Sequence, residues 1–275
     1  MDRLQIPGIE LELALLFKSI NNKYNYDFTH YAPASMKRRV LQAMIRMGHQ
    51  TVPGLRDTVL KDSESFLDLL QSLTIPVSEM FRDASYFTSL REKVFPILKT
   101  YPSLKIWVAG CSTGEEVYSI AILLQEEGLL ERTILYGTDI NPTSLAKAEK
   151  GVFTIEDIKQ ATTNYQKCGG QHSLSEYYTA AFKAVKFKKY LRDRITFADH
   201  SLVTDAVFSE TQFISCRNVL IYFDRHLQDR ALSLFNDSLC RKGFLGLGNK
   251  ETIQFSEHAK CFNPFVKEDR LFQKK

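Results

Sequence analysis

Two adjacent carboxylates, Glu115 and Glu116, stand where a short apolar run gives way to a small-residue turn and a helical pattern begins. The run is Ile106-Trp107-Val108-Ala109 and the turn is Gly110-Cys111-Ser112-Thr113-Gly114. Val117, Ile120, Ala121 and Leu124 then recur at helical spacing as far as Gly128. A strand, a glycine turn and a helix make half of a nucleotide-binding unit, with the ligand at the helix N-terminus. Two acids at that position would repel a pyrophosphate. They suit a ligand that carries an ammonium and a sulfonium, which describes S-adenosylmethionine. The same turn matches G-x-S-x-G, the strained elbow that presents a nucleophilic serine, with Ser112 as the nucleophile. That elbow follows several strands of its sheet, whereas only helical patterns precede residue 105, so the cofactor loop is the preferred reading. A serine hydrolase and a purely structural turn stay open beside it.

A further acid, Asp139, closes the next apolar run, Ile134-Leu135-Tyr136-Gly137-Thr138. In Rossmann-type folds an acid at the end of the second strand accepts hydrogen bonds from the ribose hydroxyls. Ligands of such sheets bind outside the C-terminal strand ends, so residues 110–116, 139, 199–202 and 216–222 should converge. Metal chemistry finds no pattern. The five cysteines include no C-x-x-C pair and the six histidines show no H-x-H or H-x-x-x-H spacing. No metal is predicted, and the odd cysteine set points to a reducing cytoplasm.

These residues need a framework to position them. At 275 residues and 44% hydrophobic content, the chain can bury one large core and a small second domain. Its net charge of +4 is too weak to argue for nucleic acid. No signal-peptide core or membrane-length apolar run is present. The expected architecture is an all-helical N-terminal domain over 1–73, followed by an α/β, Rossmann-like domain over 74–275 with a small inserted subdomain at about 152–193. In the first part, Ile9, Leu13, Leu16, Phe17, Ile20 and Tyr24 predict one helix. A second is expected to be capped by Ser35 and to carry Met36, Val40, Met44 and Met47. Arg38, Arg39, Gln42 and Arg46 fall within about a third of a turn of one another, either a solvated face or a docking surface for an acidic partner. Farther on, Asp83 is expected to cap a helix. Asn141, Pro142 and Gly151 bound another, and Asp224 caps a long one reaching Gly243, before strands at 244–247 and 269–273.

The segments M-F-R-D at 80–83, A-G-C-S-T-G-E-E-V-Y-S at 109–119, T-D-I-N at 138–141, D-H-S-L at 199–202 and C-R-N-V-L-I-Y-F-D at 216–224 strongly resemble the CheR family of chemotaxis receptor glutamate methyltransferases. The resemblance covers nearly the whole chain. It implies a cytoplasmic, monomeric enzyme that uses S-adenosylmethionine, releases S-adenosylhomocysteine and esterifies glutamates on the cytoplasmic helices of chemoreceptors, without nucleic acid or membrane insertion. It also implies residue roles. Glu115 would bind the methionine end of the cofactor and Asp139 the ribose, with Ser78, Arg82, Gly110, Ser201, Leu202, Cys216 and Arg217 completing the cofactor site. Arg82 and Tyr222 would border the transferred methyl. On the docking reading of the basic helical face, Arg38, Arg39 and Arg46 would meet the receptor. Two departures stand out: Pro76-Val77-Ser78 replaces the family's N-x-T, and His200-Ser201-Leu202 replaces its H-N-L.

The chemistry agrees with the absence of any recognisable dyad or triad. A glutamate is already ionised at neutral pH, so attack on a sulfonium methyl needs alignment and exclusion of water, not a general base. The rival functions are a hydrolase built on Ser112 and a non-catalytic S-adenosylmethionine-binding adaptor.

Overall fold

Apolar residues three and four apart place Ile9, Leu13, Leu16 and Ile20 on one buried stripe of α1 (Ile9–Tyr24). The computed structural model describes residues 8–74 and 78–275. Helices α2 (Pro33–Arg46), α3 (Val52–Lys61) and α4 (Ser63–Thr74) follow. Ser35 does not cap α2: the helix starts two residues earlier, with Pro33 in its first turn, where a missing N–H costs nothing. These helices form one compact unit, Met1–Ile75, which also takes in Tyr222–Leu227 from far along the chain. The later segment is tied in by an isolated bridge between Tyr31 and Phe223, by Ala32 N–H donating to Tyr222 O (2.8 Å) and by His30 against Asp224 (2.9 Å).

The second unit comprises Pro76–Ile221 and Gln228–Lys275. It opens with α5 (Ala84–Ser89), which runs through a π-turn into α6 (Phe95–Leu98), and the units β1 (Leu104–Ala109), α7 (Glu115–Glu126), β2 (Thr133–Asp139) and α8 (Pro142–Lys150) follow. Next come β3 (Val152–Thr154), α9 (Ile155–Lys167), β4 (Tyr178–Ala181), β5 (Ala184–Phe187) and α10 (Lys189–Arg192). The chain closes with β6 (Ile195–Asp199), β7 (Thr211–Cys216), α11 (Arg225–Ser238), β8 (Leu239–Leu247), β9 (Phe262–Val266) and β10 (Leu271–Lys274). The main sheet has seven strands in the order β6-β2-β1-β7-β8-β10-β9, parallel except for β10, which runs antiparallel to both neighbours. From β1 the chain steps outward to β2 and β6, then returns to β7 on the other side. The resulting switch point beside β1 is where such sheets bind ligands. Burial agrees: α7 hides eight of its twelve residues, so it is a core helix with only its ends exposed to chemistry.

Asn141 caps α8 through the amides of Thr143 and Ser144, with Pro142 at the first position and left-handed Gly151 at the end, as the sequence predicts. One other expectation fails. The helix after Asp224 stops at Ser238, and β8 begins immediately at Leu239, because Leu239, Cys240 and Phe244–Leu247 are all buried. The insert is mixed: its sheet, β3-β5-β4, packs against the thirteen-residue α9, which Thr154 and Asp157 start with a reciprocal capping box.

One buried acid fastens this insert. Glu126, at the C-terminal end of α7 and with no exposed side-chain surface, pairs with Arg91 and accepts hydrogen bonds from the hydroxyls of Tyr165 and Tyr177 and from the Gln171 amide. Glu126→Ala would leave Arg91 held by Glu127 alone, at 3.3 Å, and strand two phenols. It is expected to cost about 3–5 kcal/mol in urea unfolding and to expose the 165–178 segment to protease first.

Candidate active site

The turn after β1 is built from backbone hydrogen bonds. The amides of Gly110 and Cys111 both donate to Thr138 O at 2.8 Å, closing the turn onto the end of β2. Gly110 is left-handed (φ 72°), and a β-carbon there would lie 2.4 Å from Val219 Cγ2, so only glycine fits. Ser112 is left-handed as well (φ 52°), and its amide donates to Asp139 Oδ2 at 2.8 Å while the Asn141 amide reaches Oδ1 at 2.9 Å. Burial pushes the Asp139 carboxyl above the ordinary carboxylate range, and these amides pull it back. The Ile140 amide contributes as well, and the carboxylate's four acceptor positions still leave room for a hydroxyl donor.

Glu115 starts α7 beside that turn. Its Oε1 accepts from Thr113 Oγ1 at 2.6 Å, and the Ser78 hydroxyl also hydrogen-bonds its carboxylate. Burial nevertheless raises its carboxyl above the ordinary range. Among the described residues, Glu115 Oε2 and Ser112 Oγ are buried with no hydrogen-bond partner. An unmade bond on a buried carboxylate is expensive, and a cationic ligand is the chemistry that would satisfy it. Ser112 itself has no histidine on its hydroxyl. The His200 ring bonds Ala206 O through Nε2 at 3.1 Å and sits against Trp107, and its Nδ1 makes no bond to Ser112, so no base is on that hydroxyl among the described residues.

The second acid of the pair does something else. Glu116 accepts from Ser215 Oγ at 2.6 Å and from Arg217 Nη1 at 3.0 Å. Arg217 is only 7% exposed, and its guanidinium lies 4.1 Å from the Tyr86 ring centroid. Its Nη2 donates to Asp83 Oδ2 at 2.7 Å and to Arg82 O at 3.0 Å. Burial opposes that charge, but Glu116 and Asp83 outweigh it, and the pKa is raised. Arg217 is therefore committed inside the protein, which is a different role from the cofactor contact expected of it. Asp83 likewise does not cap α5: it is left-handed (φ 59°) and gives its carboxylate to Arg217. The Arg82 guanidinium between them is half-buried, with no hydrogen bond or ion pair among the described residues.

The remaining predicted residues fall at other strand ends. The Ser201 hydroxyl accepts from the amides of Val203 and Thr204 at 3.2 Å each, closing the turn after β6, and Leu202 is buried beside it. Cys216 ends β7 with its thiol fully buried, and burial pushes that thiol well above its usual pKa, so it acts as packing. The next residues carry a feature absent from the sequence reading. Buried Glu251 accepts from the amides of Gly248 (2.6 Å), Asn218 (2.9 Å) and Ile221 (3.3 Å), pinning the post-β7 loop. A lone acid in an irregular loop gives no spacing signal.

Tyr222 lies in the first unit, where the Arg39 guanidinium sits 4.4 Å from its ring centroid. The expected basic face of α2 is thereby corrected. Arg39 is 3% exposed and donates to Leu73 O, because it flanks the buried stripe of Met36, Val40, Ala43 and Met44. Arg46 pairs with Asp68 (2.9 Å) and Ser72 (2.8 Å), and Arg38 alone of the three is exposed without a partner among the described residues. Among the described residues no group of three or more His, Cys, Asp or Glu is placed to hold a metal ion, and no helix is long and apolar enough to cross a membrane.

Two family descriptions cover this chain: "CheR methyltransferase, SAM binding domain" over residues 76–267 and "CheR methyltransferase, all-alpha domain" over residues 11–74. The chain belongs to the CheR methyltransferase family. Among its relatives is "Putative methyltransferase Cher3" of Pseudomonas putida, 55% identical over 96% of this chain and 97% of that one. The "Chemotaxis protein methyltransferase" of Listeria innocua is 28% identical over 90% of this chain and 92% of its own, and that of Borreliella burgdorferi is 25% identical over 92% of each. The chain is thus an S-adenosylmethionine-dependent methyltransferase, with an all-helical unit ahead of a Rossmann-like one. The orphaned Glu115 Oε2 and the free lone pairs of Asp139 fit that cofactor. Replacing Asp139 with Ala should weaken S-adenosylhomocysteine binding by about 1.5–3 kcal/mol in calorimetry, the worth of a charged hydrogen-bonding group. Unchanged affinity would remove Asp139 from the cofactor site.

Proposed function

We propose that this enzyme methylates glutamate side chains on chemoreceptor cytoplasmic helices, giving glutamyl methyl esters in chemotactic adaptation, and that it acts as a cytoplasmic monomer. The observation that carries the reading is the near full-length match to relatives named chemotaxis protein methyltransferase, over 90–92% of the chain.

The residues support this reading. Bound S-adenosylmethionine supplies an electrophilic methyl on its sulfonium. Glu115, braced by Thr113 and Ser78, holds the ammonium of the methionine end, and Asp139 holds the ribose hydroxyls. Gly110 and the post-β7 loop close the crevice wall around them. The Arg82 guanidinium, without a partner among the described residues, offers a planar fork that would orient an incoming carboxylate. No side chain needs to remove a proton, because the nucleophile arrives ionised. The corrected surface of α2 leaves Arg38 as the arginine available to an acidic receptor face.

Arg82→Ala should therefore lower receptor methylation at least about tenfold, with a loss nearly independent of pH between about 6 and 9, since alignment is lost and protonation is not. A loss that disappears at high pH would instead assign proton transfer to Arg82's neighbourhood. Tyr222 is assigned to the transfer step by family resemblance, and Tyr222→Phe tests it apart. A roughly tenfold drop in turnover with normal cofactor affinity supports a role for the hydroxyl, and turnover within about twofold of wild type makes it a packing residue.

A further inference from the structure

We propose that Arg217 is a positioning residue for Arg82: it presents the Arg82 side chain to the crevice by gripping the Arg82 carbonyl and the Asp83 carboxylate that follows it. The inference rests on the reading of Arg82 as the residue that orients the acceptor carboxylate.

The turn that carries Arg82 is strained. Both of its neighbours, Phe81 (φ 53°) and Asp83 (φ 59°), are left-handed without being glycine. A bulky residue in that region is a true outlier and persists only where its surroundings over-determine it. Here they do. The Phe81 ring is fully buried, with Phe87 at 5.5 Å and Tyr165 at 5.2 Å between centroids. Its amide donates to Ser119 Oγ at 3.0 Å, and that hydroxyl donates in turn to Glu115 O at 2.7 Å. On the other side, Arg217 Nη2 takes both Arg82 O and the Asp83 carboxylate, at 3.0 and 2.7 Å. Arg217 Nη1 bonds Glu116, so a single buried guanidinium joins the post-β7 loop, the first turn of α7 and the Arg82 turn.

Every polar group of this turn described above is spoken for except the Arg82 guanidinium. Strain of this kind, held from both sides and leaving one charge free, fits a device for aiming that charge. The first turn of α7 holds the cofactor through Glu115 and Arg217 through Glu116, so the aim of Arg82 is set relative to the cofactor. Lysine could not substitute for Arg217, since a single ammonium cannot serve Glu116, Asp83 and the Arg82 carbonyl in a fixed fork.

The test is a double-mutant cycle on the full chain, with tritiated methyl transfer to a receptor cytoplasmic fragment as the readout. Arg217→Lys should lower kcat tenfold or more in the wild-type background but less than twofold in an Arg82→Ala background. Its S-adenosylhomocysteine Kd should stay within threefold of wild type in both. Equal losses in the two backgrounds, or a loss explained by weaker cofactor binding, would overturn the proposal. Should Arg217→Lys fail to fold, Asp83→Asn, which removes one anchor, is read the same way. Amide exchange provides the arm that does not depend on activity. In Arg217→Lys the 80–84 amides should exchange at least tenfold faster while those of α7 are unchanged, and unchanged exchange at 80–84 would overturn the proposal. That arm decides where Arg82→Ala is too slow to measure. It also decides where wild type transfers no methyl to glutamate, a result that would refute the glutamate reading itself.

Discussion

At the end of β2 the Asp139 carboxylate accepts one amide from the turn after β1 and another from the start of α8, binding two crossovers of the sheet to a single side chain. The consequences spread through the site. With Ser112 held left-handed by that bond, the turn delivers Glu115 to the first position of α7, facing the strand ends. Its donors among the described residues, the Ser112, Asn141 and Ile140 amides, are neutral backbone groups, and burial keeps its pKa raised. The carboxylate is therefore fixed in place and still able to accept hydroxyls, as a ribose requires.

Charge is handled differently on the other side of β1. Arg217, Glu116 and Asp83 form a nearly dry group in which each ion is paired, an arrangement that does little for net stability but is costly to disturb. It explains why Glu115 keeps an oxygen without a hydrogen-bond partner while both Glu116 oxygens are taken. Glu116 offsets the buried guanidinium, and the guanidinium holds a strained turn. At the far end of the same helix Glu126 fastens the insert, so α7 joins the cofactor turn, the Arg82 turn and the insert through its own side chains.

Much of this was legible in the sequence wherever local pattern and tertiary role coincide. The stripe of α1, the β1-turn-α7 unit and the Asn141-Pro142…Gly151 limits of α8 follow from periodicity and capping alone. Illegibility has physical causes too. Asp83 is a residue type that caps helices, yet its carboxylate is claimed by Arg217, 134 positions away. Arg39 sits on the same helical face as Arg38 by spacing, but it flanks the apolar stripe and its long side chain turns inward to Leu73 O and Tyr222. The pattern of α9 is obscured by its threonines, which read as strand residues, and the capping box that starts it is the only strong local cue. Glu251 had no pattern to find, because its partners are amides brought together by the fold.

If a carboxylate is the methyl acceptor, the transferred methyl must end on glutamate as an ester. Incubation of a receptor cytoplasmic fragment with trideuteromethyl-labelled S-adenosylmethionine and this enzyme, followed by fragmentation mass spectrometry, should place the label on glutamate side chains and lose it as methanol in mild base. Label on lysine, arginine or a hydroxyl, stable to base, would contradict the account.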